Sequence, residues 1–127
     1  MFRRCSKLFF KSLKYALSGV LAAFKSGRNL RIMLICMLLV IAGSFLLGLS
    51  PFEWALVLFC CAGTISLEMV NSSIEEAVNS ITDHYKLSAK KAKDIAAGAA
   101  LFFSFFAMII GLIIFIPHII SLFTNIV

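Results

Sequence analysis

Glu68-Met69-Val70-Asn71-Ser72-Ser73-Ile74-Glu75 follows an uncharged run, residues 54–67, and its reading decides the fold. The polar groups emerge at the end of what reads as a membrane helix. At about 100° per residue, Glu68, Asn71 and Glu75 fall on one stripe, at i, i+3 and i+7. Thr64, Ser72 and Asn79 widen it. Two carboxylates and an amide at a membrane boundary are costly unless paired, protonated or bound to a cation. This face is therefore the default functional site. The plainer reading is a helix surfacing from the bilayer with a polar side that is merely wet.

Working outward, the whole chain is apolar to match. Of its 127 residues 61% are hydrophobic, and mean hydropathy is +1.02, which excludes an ordinary soluble domain of this size. The fold class is all-α integral membrane, in a single domain over 1–127. The net charge of +6 is unevenly placed. Residues 1–31 carry Arg3, Arg4, Lys7, Lys11, Lys14, Lys25, Arg28 and Arg31 and no acid, and the other bases are Lys86, Lys90, Lys91 and Lys93. These groups flank lipid-length spans, so anionic lipid or nucleotide phosphate accounts for them better than nucleic acid does. Cys5, Cys36, Cys60 and Cys61 show no C-x-x-C spacing, and neighbouring Cys60 and Cys61 diverge by about 100° on a helix, which disfavours a disulfide or zinc.

In chain order, residues 5–26 place Lys7, Lys11, Lys14, Ser18 and Lys25 along one stripe and Leu8, Phe9, Phe10, Leu13, Leu17, Val20 and Phe24 over much of the rest. This predicts an amphipathic surface helix on the cytoplasmic leaflet rather than a signal peptide. Gly27 to Arg31 forms a polar corner. A first span follows over about 32–50, with no charge between 32 and 52. After a turn at Ser50-Pro51, the second helix covers 53–81, with a cytoplasmic extension. From Glu53 to Glu68 is about 22 Å of helix rise, which sets Glu68 near the inner edge of a hydrocarbon core about 30 Å thick. There a lipid headgroup and a soluble solute can meet. Thr82 to Lys86, including His84, reads as a loop, with Ser88 as N-cap of a third helix over 89–123. Pro117 is expected to break or kink that helix, and Ala96 to Ala100 to admit a close neighbour. The charge pattern puts the amino terminus in the cytoplasm and the carboxyl terminus outside a plasma (inner) membrane crossed three times.

By residue type, carboxylates can hold magnesium, lysines can neutralise polyphosphate, and a carboxylate can take a proton from an alcohol. No Walker loop or protein-kinase signature occurs. Phosphoryl transfer to a membrane alcohol is compatible with these residues without being specified by them. A non-enzymatic small membrane protein, relaying ions through Glu68 and Glu75, fits the same pair.

The stretch 68–75, followed by Ala92-Lys93-Asp94-Ile95-Ala96-Ala97-Gly98-Ala99, resembles the signature of the prokaryotic diacylglycerol kinase family, E-x-x-N-[ST]-x-I-E with a downstream A-K-D-x-x-x-x-A. The resemblance covers nearly the whole chain. Phe24-Lys25, Arg28-Asn29 and Ile114 to Pro117 are more like the Gram-positive branch, which resembles undecaprenol kinases. It implies a homotrimer with active sites between protomers, using ATP and Mg2+. Undecaprenol is the leading acceptor and diacylglycerol the alternative. By this resemblance Glu68 matches the general base, Glu75 a metal ligand, Asn71 a polar residue beside it, and Lys93 and Asp94 nucleotide contacts. Arg28 stands equally as a lipid anchor and as a nucleotide contact. Two positions depart from the pattern: Gly27, where a metal-holding glutamate is usual, and Asn79, commonly an aspartate. The Ala92-Lys93-Asp94 cluster favours the kinase over the relay, which has no evident use for it.

Overall fold

A computed structural model describes residues 2–81 and 86–124, with side chains from Leu8 onward except Ser26. Four helices follow in order: α1 (Phe2–Ser26), α2 (Arg28–Leu47), α3 (Pro51–Ile81) and α4 (Leu87–Thr124). The last three are long and apolar enough to cross a membrane. α3 and α4 pack together most extensively, α2 lies against α3, and α1 touches both α2 and α3.

Local chemistry sets the joints. The corner between α1 and α2 is a single residue, Gly27, whose N–H still donates to Ala23 O at 2.9 Å while its own carbonyl accepts from Arg31 N at 3.4 Å. Arg28 to Arg31 are thus the first turn of α2 and not part of a loop. At its far end Gly48 takes the left-handed conformation (φ 66), which glycine adopts without steric cost.

α3 starts at Pro51, two residues earlier than its charge pattern suggested, because Ser50 and Glu53 cap it reciprocally. Ser50 N–H donates to Glu53 Oε2 at 2.8 Å, Ser50 Oγ–H donates to the same oxygen at 2.7 Å, and Glu53 N–H reaches Ser50 Oγ at 3.4 Å. Pro51 occupies the first helical position, where its missing N–H costs nothing.

Ser88 is not the N-cap of α4. The helix begins at Leu87, and Lys90 N–H already bonds Lys86 O at 3.1 Å, so Ser88 lies within the first turn. Pro117 does not end the helix, which continues to Thr124. The rest of the expected loop, Thr82 to Tyr85 with His84, lies outside the described residues.

Few large side chains are buried. Val57, Ile114 and Leu49 form the core cluster, with Val40, Trp54 and Phe115 packed on it. Most other large apolar side chains of α2 and α4 are exposed, as befits helices whose outer faces meet lipid. The close approach of α3 to α4 is made at Gly63, where a Cβ would stand 2.2 Å from Phe103 Cζ. Hydroxyls in the apolar stretches turn back on their own helices: Ser44 Oγ to Val40 O at 2.8 Å and Thr64 Oγ1 to Cys60 O at 2.6 Å.

Candidate active site

At the end of the bundle where α2 begins and α4 has just started, α2, α3 and α4 enclose a groove of about 660 Å³. α3 supplies Thr64, Glu68, Asn71 and Glu75; α2 supplies Asn29; α4 supplies Ser104 beside Ala97 and Ala100. The helical stripe read from spacing is therefore a real wall. Small residues on α4 make the room, since Ala97 and Ala100 reach little into the space opposite the carboxylates.

Glu68 is half-buried and accepts one hydrogen bond, from Asn29 Nδ2 at 3.3 Å. Asn71 is only 8% exposed, and its Oδ1 is buried without a partner. Such an orphan acceptor costs about 1–3 kcal/mol. Glu75 is exposed. Thr64 has committed its hydroxyl proton to Cys60 O. The α3 wall thus presents carboxylate and amide oxygens with capacity to accept, which a hydroxyl proton or a cation would fill.

Those donors suit magnesium by type, being all hard oxygens. Asn71 and Glu75 are one turn apart, about 6 Å along the helix, and can share one ion. Glu68 is about 10 Å from Glu75 along the axis, which leaves it free for another task. Among the described residues no three His, Cys, Asp or Glu side chains cluster to hold a metal alone. Magnesium commonly completes its shell with water and substrate phosphates, so two protein ligands suffice.

The remaining expected residues do not line this groove. Lys93 is half-buried on α4, and its Nζ donates to Asn79 Oδ1 at 3.2 Å. That bond holds an ammonium one turn beyond Glu75, and it is the use this chain makes of Asn79. Asp94 and Arg28 are exposed and outside the groove lining. Gly27 has little room for a larger side chain, because a Cβ there meets Ala23 O at 3.0 Å and Leu30 Cδ1 at 3.1 Å.

Two groove residues escaped the sequence reading. Ser104 is the one hydroxyl in the stretch 95–116, on the same stripe as Ala97, Ala100 and Leu101, and that isolation was a usable signal. Asn29 was legible only as a neighbour of Arg28; nothing local announces that it reaches α3.

Comparison with known proteins gives a family match and three relatives that agree with it. The profile of the family described as Prokaryotic diacylglycerol kinase matches residues 14–115. The chain is 39% identical over 109 residues to the undecaprenol kinase of Bacillus subtilis, covering 86% of this chain and 89% of that protein. It is 35% identical over 112 residues to a diacylglycerol kinase of Synechocystis sp., covering 87% of this chain and 64% of the relative. A diacylglycerol kinase of Helicobacter pylori is 35% identical over 95 residues, covering 75% and 74%.

Proposed function

This chain is a lipid kinase belonging to the prokaryotic diacylglycerol kinase family, and on that premise we propose that it moves the ATP γ-phosphoryl group onto undecaprenol in the cytoplasmic leaflet. The observation that carries the proposal is the wall of carboxylate and amide oxygens from Glu68, Asn71 and Glu75, with one buried oxygen left without a donor. An alcohol and a cation are what that wall lacks.

In this reading Glu68 accepts the hydroxyl proton of the lipid as the alcohol oxygen bonds to the γ-phosphorus. The bond from that phosphorus to the bridging oxygen breaks, and ADP leaves. Asn29 orients the Glu68 carboxylate from α2. Magnesium on Glu75 and the Asn71 amide oxygen neutralises phosphate charge when bound. Lys93, held by Asn79, offers an ammonium to the phosphates from the inner rim, and Asp94 and Arg28 serve the nucleotide beyond it. The chain works as a homotrimer, with α1 on the membrane surface and the amino terminus in the cytoplasm, where ATP is.

Diacylglycerol is the second acceptor, favoured by the names of two of the relatives. Transfer from labelled ATP, in mixed micelles with magnesium, is measured to undecaprenol and diacylglycerol side by side. Preference for the prenol, lost in Glu68→Gln, is the expected result. Transfer that survives Glu68→Gln removes the carboxylate from the base role, and preference for diacylglycerol reverses the acceptor assignment.

A further inference from the structure

Directly beneath the polar groove, between the same three helices, lies a second cavity of about 280 Å³ whose walls are almost wholly apolar. The two are continuous, since Met33 and Thr64 line both. Its walls include Cys36 on α2, Cys60 on α3, and Gly111 and Phe115 on α4. Its deep end is closed by the core cluster, to which Val57 and Phe115 belong.

We propose that this cavity seats the head-proximal part of the acceptor's hydrocarbon tail, and that it takes one chain and not two. The proposal rests on the lipid-kinase reading of the groove above it. Four observations support it. A lipid whose hydroxyl stands at Glu68 must run its tail away from water, and the cavity continues from Glu68 in that direction. At 1.5 Å per residue, Val57 lies about 16 Å from Glu68 along α3, which matches one leaflet of a hydrocarbon core about 30 Å thick. At about 280 Å³ the space lies at the foot of the roughly 300–1,000 Å³ range of ligand pockets, which suits a segment of one chain. The lining also suits an unsaturated tail: Met33, Met37 and Met108 are flexible, polarizable side chains that adapt to a kinked chain. A single-tailed prenol meets these conditions and a two-chain glyceride does not.

Gly111 supplies a test in activity. A Cβ built there meets no atom within 4 Å, so Gly111→Leu adds bulk to the wall without a backbone clash. Specificity constants are compared for a long-chain prenol and for a short prenol whose tail ends near Thr64. The ratio of long over short is expected to fall about tenfold in the variant; a ratio within twofold of wild type overturns the assignment.

Cys36 supplies a test that needs no turnover or variant. It is exposed and lines the cavity, so its alkylation by a lipid-soluble maleimide, followed by peptide mass spectrometry in the wild-type protein, should slow severalfold when the long prenol is added. Equal protection by diacylglycerol overturns the single-chain selection. An alkylation rate that the long prenol leaves unchanged overturns the whole assignment, because the tail then lies elsewhere. If the wild type phosphorylates no acceptor, the kinase reading falls by itself: Cys36 protection by the prenol still upholds the tail site, and its absence overturns that too.

Discussion

The two ends of α3 carry the same residue type in opposite states. At its first turn, one oxygen of Glu53 is engaged within the fold: Ser50 gives Oε2 an N–H and an O–H, and His118 on α4 places Nε2 3.7 Å from the same oxygen. The His118 ring also has Nδ1 2.9 Å from Ile114 O, so it ties two turns of α4 to the start of α3. Further along, Glu68 has a single bond at 3.3 Å, Asn71 Oδ1 has none, and Glu75 takes none among the described residues. A carboxylate engaged by donors of its own cap holds structure together. One left with free lone pairs beside a cavity is available for chemistry.

That contrast breaks most sharply under paired substitutions. In the transfer assay Glu68→Gln is expected to lower kcat by about 10²–10⁴, the usual contribution of a general base, with the thermal midpoint in detergent unchanged. Glu53→Gln should do the reverse, lowering the midpoint while kcat stays within about twofold. If Glu53→Gln removes activity as deeply as Glu68→Gln, the division of α3 into a structural and a chemical end is wrong.

Asn71 sharpens the comparison, because an orphaned acceptor is a stability cost kept for function. Replacing it with leucine, of the same branched shape, removes the unsatisfied oxygen. Asn71→Leu should leave the protein as stable or about 1 kcal/mol more stable, while transfer falls on the order of 100-fold. Magnesium supplied at tenfold higher concentration should not restore it, since the ligand is gone. Loss of stability together with activity would mean that Asn71 is held by something within the fold and has no ligand waiting.

How much of this could be read from the chain follows from range. The three spans and the Glu68, Asn71, Glu75 face depend on periodicity within one helix, and spacing of three and four residues reports that directly. What the sequence hid is what one helix does to another. Asn29 meets Glu68 across 39 positions, Lys93 is claimed by Asn79, and Gly63 admits the Phe103 ring; each depends on how helices are rotated about their axes. Ala96 to Ala100 drew attention as the packing stripe, yet there small size opens a groove, and the tight contact is elsewhere. Pro117 lies inside α4, which runs on to Thr124: a proline costs an isolated helix a hydrogen bond and a clash, but neighbours in a bundle can carry the helix past it.

The start of α3 was legible and still passed over. Ser50-Pro51-Phe52-Glu53 is a capping box with proline in the first helical position, and it should have moved the predicted start from Glu53 to Pro51. Its energetic weight is the smallest effect expected here. Ser50→Ala removes the Oγ that Glu53 N–H reaches at 3.4 Å and the hydroxyl donor at 2.7 Å, but keeps the backbone N–H bond. The 3.4 Å contact is long for a cap, and Pro51 still fixes the first helical φ, so the loss belongs at the low end of the usual range, about 0.5–1 kcal/mol. Thermal unfolding in detergent should detect it, with transfer to the lipid unchanged within twofold and with Ser50→Thr restoring most of the difference. A transfer rate that falls with Ser50→Ala while the midpoint holds would show that strain at the Ser50 cap reaches the Glu68 face through α3, and the two ends would then have to be treated as one device.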